Sequence, residues 1–239
     1  MRTVVTFFLI ATFACSAALG YLVMPRVGAA APALLKMPCG QEASIVEARL
    51  LAVDAHGEGV VATLEVEVRP GKGHLFLKTD AHSPYYYLDT QSSLKTAYEI
   101  AAKFAGVNMT AKDVYYSVGE GLAEKVSGGS AGAGVTVATV AALRGESLRP
   151  DRMITGTINP DGEIGRVAGV LAKAKAARGA GAAMLVVPLG ERTQAVEEQS
   201  CTSSGVCTTN MRIVDVQQEA NITISEAADI EQAYELMRG

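Results

Sequence analysis

Two residues in this chain have types and settings suited to acyl transfer: Ser130 in a glycine-rich turn and Lys173 on an alanine-rich helix. Ser130 sits in Ser127-Gly-Gly-Ser-Ala-Gly-Ala-Gly134, which runs into Val135–Leu143 with no charge before Arg144. A helix starting there presents open backbone N–H groups and the positive end of its dipole near the hydroxyl, an environment that favours negative charge. An enzyme that develops an oxyanion beside its nucleophile needs that environment. The same residues also describe an ordinary serine N-cap after a flexible turn. Ser130 alone does not separate the two readings.

A nucleophilic serine needs a group to take its proton, most often histidine. His56, His74 and His82 all fall in turns or short strands of the first half, and none stands beside an aspartate in a triad pattern. Lysine is the alternative, and it works when a dry site lowers its pKa towards neutrality. The helical pattern Val170–Arg178 carries two lysines. Lys173 shares a face with Val170, Ala176 and Ala177, whereas Lys175 shares its face with Leu171 and the solvent-directed Arg178. A lysine on a small apolar face is costly unless it is functional or snorkels to water. Two solvated helix lysines are the plain alternative.

The elements that must position these residues follow from periodicity. Ile45–Val53 and Val60–Arg69 alternate apolar and polar side chains around the turn Ala55–Gly59, and His74–Lys78 adds a short third strand. Gln91–Ala105 carries Leu94, Ala97, Tyr98, Ala101 and Phe104 at helical spacing, and Asp113–Val118 is strand-like. Ser130–Leu143 is predicted as a helix, Met153–Asn159 as one strand returning through Pro160–Glu163 into Ile164–Val167, and Val170–Arg178 as a helix. Met184–Val187 and Met211–Val216 are predicted strands, and Ser225 is expected to cap a last helix. This order implies an α+β class in a single compact domain.

Composition narrows the function classes. The net charge is −4, and no Lys/Arg cluster occurs, which argues against nucleic acid as a partner. Nothing in the sequence calls for a cofactor or a metal. Residues 1–26 read as a signal anchor or signal peptide: 3–24 carry no charge, and a helix of that length at about 1.5 Å per residue crosses a hydrocarbon core of roughly 30 Å. An uncleaved single-pass anchor is favoured, although Ala29-Ala30-Ala31 is a small-residue cleavage pattern that would leave a secreted protein. Residues 27–41 read as an Ala/Pro-rich linker and 42–239 as the domain. Cys201 and Cys207 bracket a polar spacer that lets their sulfurs meet, a disulfide expected on an extracytoplasmic side, while Cys39 has no evident partner. Asn108-Met-Thr and Asn221-Ile-Thr are glycosylation-type sequons that agree with that side.

Gly129-Ser130-Ala131-Gly132, Ile154-Thr155-Gly156-Thr157-Ile158, Asp161-Gly162 and Val167-Ala168-Gly169-Val170-Leu171-Ala172-Lys173 together resemble the proteolytic domain of Lon proteases. Pro70-Gly71-Lys72-Gly73, the helix from Gln91, Glu120-Gly121 and Val186-Val187-Pro188 fit the same pattern, so the resemblance spans most of Val60–Leu236. It implies the compact α+β Lon protease fold, a Ser130 nucleophile, a Lys173 general base, and Thr155 close to the Lys173 amine. It also implies backbone N–H groups around Gly129–Ala131 for the oxyanion, and assembly as a homo-oligomeric six-membered ring.

Three departures accompany the resemblance. Gly129 stands where the family usually has proline just before the nucleophile, which loosens the loop. Ser127 stands where an aspartate is common. No Gly-x4-Gly-Lys-Ser/Thr occurs, so no ATPase module is present in this sequence. The expectation is a membrane-anchored, ATP-independent serine endopeptidase acting on unfolded or flexible polypeptides. The alternative is a catalytically inactive binding or assembly module with the same fold.

Overall fold

Alternation along the first two strands produces a sheet with one dry face. The computed structural model describes residues 43–78, 88–119, 129–201 and 207–239. Strand β1 (Ser44–Val53) pairs antiparallel with β2 (Gly59–Pro70) from Ser44 opposite Val68 to Val53 opposite Gly59. β3 (Leu75–Lys78), helix α1 (Leu88–Ala105) and β4 (Lys112–Val118) follow, and the sheet order is β1-β2-β4-β3, with β3 parallel to β4. Val46, Leu50, Leu64, Val66, Val68, Val114 and Tyr116 fall on the buried side by the two-residue period.

That face is covered by α1, through Leu94, Ala97, Ile100 and Ala101, and by α2 (Gly132–Arg144). Every residue of α2 from Gly132 to Leu143 is buried, which explains the absence of charge before Arg144: a helix apolar all round belongs in a core. Its two threonines are satisfied locally, Thr136 Oγ1 donating to Gly132 O at 2.8 Å and Thr139 Oγ1 to Val135 O at 2.7 Å. Gly145, left-handed at φ 67°, ends the helix.

The second half comprises β5 (Arg152–Ile154), β6 (Thr157–Ile158), β7 (Ile164–Gly165), α3 (Val170–Gly179), β8 (Met184–Pro188), β9 (Thr193–Cys201), β10 (Cys207–Asp215), α4 (Val216–Ala220), β11 (Thr223–Ala227) and α5 (Ile230–Met237). β11, β8 and β5 form a parallel sheet in that order. The expected strand Met153–Asn159 is two strands in different sheets, β5 pairing with β8 and β6 with β7, because Thr155-Gly156 leaves the ladder to bond the turn around Ser130. Ser225 is not a helix cap; it lies within β11. The last helix is capped by Asp229, whose carboxylate accepts from Gln232 N at 2.9 Å.

The expected strand Met211–Val216 is the second half of β10 with one residue beyond it, whereas β9, its pairing with β10 in a hairpin, and α4 were not legible in the sequence. In the hairpin Cys201 stands directly opposite Cys207, and the two form the disulfide expected from their spacing. The segment Gln41–Gly239 is one compact α+β unit. No helix among the described residues is long and apolar enough to cross a membrane. The stretch 3–24, the linker, Cys39, His82, Glu120-Gly121, Ser127 and Gly128 lie outside the described residues.

Candidate active site

Ser130 is the middle residue of a single 3-10 turn, Gly129–Ala131, leading into α2. The residue at the N-cap position of α2 is Ala131, not Ser130, so the simple capping reading does not hold. Among the described residues the Ser130 hydroxyl makes no hydrogen bond. The turn is held instead by its backbone. Ser130 O accepts from Gly156 N at 3.0 Å and from Thr155 Oγ1 at 3.3 Å, and Ala133 N donates back to Gly156 O at 3.0 Å. Thr155 N donates to Val186 O at 3.0 Å, so the serine turn is tied through one dipeptide to β8. Thr155 is fully buried.

Lys173 lies on α3, where Val170, Lys173, Ala174 and Ala177 are the buried residues, spaced as one helix face. Only 2 % of Lys173 is exposed, so the amine cannot snorkel to water. The helix is drawn close to β1 and β2 by two glycines. A Cβ on Gly59 would stand 2.1 Å from Ala172 O, and one on Gly169 would stand 2.7 Å from Val53 Cγ2. Gly169 also takes a left-handed φ of 69° just before the helix, which other L residues rarely adopt. Lys175, on the other face, is exposed.

Burial pushes the Lys173 amine down to about 8, against an opposing pull from the Glu191 carboxylate. Among the described residues its Nζ has no hydrogen bond or ion pair. The 3-10 turn of Ser130 and helix α3 both pack against β1. An amine that becomes largely neutral above about pH 8 can accept a proton there, and a serine hydroxyl with no other commitment can give one.

Neither of the two described histidines competes for this role. His56 is exposed in the β1–β2 turn, and His74, 60 % exposed, faces Asp113 at 3.6 Å on the other side of the fold's first sheet edge, beside β3. No cluster of His, Cys, Asp or Glu suited to a metal occurs among the described residues. Sequence reasoning missed Glu191, Arg166 and Gln194. They lie in loops or at a strand end, where no periodicity points to them. Gln194 Oε1 accepts from Leu171 N at 2.8 Å in the first turn of α3, and Arg166 Nε meets Glu191 Oε1 at 2.8 Å.

A buried helical lysine and a serine in a tight turn thus share one mixed α+β scaffold. The model of the Lon protease (S16) C-terminal proteolytic domain matches residues 40–203, more than half of the chain. The chain therefore belongs to the Lon protease family through its proteolytic domain. No curated protein matches it.

Proposed function

We propose that this protein is an ATP-independent serine endopeptidase in which Ser130 is the nucleophile and Lys173 the general base. The observation that carries the reading is Lys173 itself, buried on the inner face of α3 with no ion pair among the described residues to hold it charged. Lys173 Nζ takes the proton as Ser130 Oγ bonds the scissile carbonyl carbon. The resulting ammonium returns that proton to the leaving amine as the C–N bond breaks, giving an acyl-enzyme. A water molecule then repeats the sequence, with Lys173 again as base, and releases the acid product.

Backbone N–H groups around Gly129, Ser130 and Ala131, at the start of the fully buried α2, supply the oxyanion environment in this scheme. Thr155 Oγ1 gives its own hydrogen to Ser130 O, which leaves its lone pairs free to accept from the Lys173 amine. Its proposed role is to hold the amine and the serine turn in one register.

The substrates proposed are unfolded or flexible polypeptides, since the sequence contains no ATP-binding loop to drive unfolding. The proposal includes a single-pass membrane anchor at 3–24, an extracytoplasmic domain in keeping with the Cys201–Cys207 disulfide, and a homo-oligomeric ring in keeping with the family. The test is hydrolysis of an unstructured protein without ATP, together with labelling by an acylating serine probe. The parent should cleave and be labelled at Ser130, and Ser130→Ala and Lys173→Ala should do neither. Cleavage by both variants at the parent's rate would end the dyad reading. No labelling of the parent from pH 6 to 10 (roughly two units either side of the Lys173 value) would favour a binding or assembly module.

A further inference from the structure

A cavity of about 380 Å³ opens between the edge strand β1, the loop leading into β5 and the end of α5. Its volume falls within the range of small-molecule sites, roughly 300–1,000 Å³. Leu148, Ile154 and Met237 give it an apolar lining, and three arginines, Arg49, Arg149 and Arg152, border it together. Like charges around one cavity repel, and a chain of net charge −4 has carboxylates to set against them.

Two of the three nevertheless have no carboxylate partner among the described residues. Arg49 donates through Nη1 to Ala180 O at 2.7 Å and through Nη2 to Pro150 O, and Arg152 donates through Nη1 to Leu236 O. Main-chain carbonyls thus fix both side chains and leave their full charge in place. A guanidinium has five N–H donors. Among the described residues the Nε of Arg49 and the Nε and Nη2 of Arg152 stay uncommitted. Both residues are half-buried, where a cation without a counter-charge is costly, and neutral carbonyl bonds offset only part of that cost. Arg149 is held more loosely, its Nε 3.4 Å from Asp151 Oδ1 and its side chain 47 % exposed.

One carboxylate lines the cavity, that of Glu47, two residues before Arg49 on the same face of β1. It is exposed, and among the described residues it makes no ion pair with these arginines. Its register partner across the strands is another carboxylate, Glu65. Water screens the Glu47 charge, and the arginines turn to carbonyls instead.

We infer that this cavity is a binding site for a small carboxylate with an apolar body. Arg49 and Arg152 receive the carboxylate, and the body rests on Leu148, Ile154 and Met237. Planar guanidinium groups match a planar carboxylate and bond it through charge-assisted hydrogen bonds. A phosphate dianion suits the cavity less, because Glu47 adds negative charge to the same wall. None of Ser130, Thr155 and Lys173 lines the cavity, so the inference stands or falls apart from the dyad. A free organic acid and the C-terminal end of a short peptide both carry this chemistry.

The test is binding of para-fluorobenzoate to the full chain carrying Ser130→Ala, read by fluorine NMR. The benzoate should bind, and the uncharged para-fluorobenzamide should bind about tenfold more weakly or worse. Arg152→Gln should weaken the benzoate by about tenfold. Arg49 and Arg152 also tie elements together, so two further variants leave their bonds intact. Thr63 is exposed and stands directly across from Arg49 in the β1–β2 register, so Thr63→Glu supplies an internal carboxylate and should abolish binding. Glu47→Gln should tighten binding about twofold to threefold. An acetylated dipeptide ending in para-fluorophenylalanine, with a free or an amidated C-terminus, separates the two sources. Tighter binding of the free-carboxylate peptide than of the benzoate assigns the cavity to peptide ends, and weaker binding assigns it to a free acid. Equal binding of benzoate and benzamide, benzoate binding unchanged in both Thr63→Glu and Glu47→Gln, or no binding of either carboxylate overturns the inference.

Discussion

Thr155 Oγ1 donates to the carbonyl oxygen of Ser130 at 3.3 Å, and the next residue, Gly156, donates its amide to the same oxygen at 3.0 Å. One dipeptide thus holds the peptide plane of Ser130 from the β5–β6 junction. This also explains why the strand expected over Met153–Asn159 is broken: the backbone groups of Thr155-Gly156 serve Ser130, Ala133 and Val186 instead of continuing one ladder.

Replacing Thr155 by valine keeps the shape and removes the hydroxyl. Ser130 O retains Gly156 N, so no buried acceptor is orphaned, and the stability loss should be about 1 kcal/mol. The rate loss should be larger, about tenfold or more in kcat, because the proposed role of this hydroxyl is to hold the serine turn in register with the amine. Thr155→Ser should restore most of the rate. Thermal melts and steady-state kinetics on the two variants check this. Equal kcat for Thr155→Val and the parent would deny the hydroxyl a positioning role.

In the proposed scheme Lys173 sets function against stability. Its amine falls from 10.5 to about 8 on folding, so the folded state binds fewer protons than the unfolded chain between those values. Stability therefore rises with pH across that window, and the cost of the lysine is fully present below about 8 and gone above about 10.5. Lys173→Met fills the same slot without the charge. It should be more stable than the parent at pH 7 by about 3 kcal/mol, which is on the order of 5–10 °C in Tm. The gap should close as the pH is raised through the window. Denaturant melts of both proteins at pH 7 and above pH 10 test it. A variant less stable than the parent at pH 7 would contradict the burial argument.

The same depression fixes the sign of the activity profile. Below about 8 most molecules carry the ammonium, which cannot accept the serine proton, so kcat/KM should rise about tenfold per pH unit on the acid side and level off above 8. A profile that falls over this range would require a base other than a lysine. Initial rates on an unstructured substrate between pH 6 and 10 suffice (roughly two units either side).

How much of this was legible follows from what each signal measures. The β1–β2 hairpin, α1, α3 and β8 were readable because one buried face imposes a period, as in the alternation of Val46, Leu50, Leu64 and Val66. Ser130 and Lys173 were singled out by residue type and setting, and it was the resemblance to Lon proteases that joined them as a pair. Of the β9–β10 hairpin only Met211–Val216 was expected as a strand; β9 was not, because nearly all of it is exposed and no core dictates its pattern. Ser225 misled because serine before an acidic, apolar run also suits a parallel strand. The Arg166–Glu191 pair joins loops 25 positions apart in sequence, a proximity that no local pattern records.

The Cys201–Cys207 disulfide closes the end of that exposed hairpin and touches neither hydrophobic core. Its stabilisation is therefore local. Reduction releases the pairing at one end of β9 and β10, where Cys201 faces Cys207, while the base of the hairpin stays anchored by Gln194 on Leu171 N and by Val216 N on Arg192 O. Cys201→Ser/Cys207→Ser, or reduction of the parent, should raise amide exchange in the outer hairpin by at least tenfold. The melting temperature of the rest of the domain should change by less than about 3 °C, and hydrolysis of an unstructured substrate should persist. Hydrogen exchange read by mass spectrometry on peptides covering 193–215 resolves the two regions. Global loosening that reaches α2 and α3 would show instead that the hairpin is part of what holds the active site together.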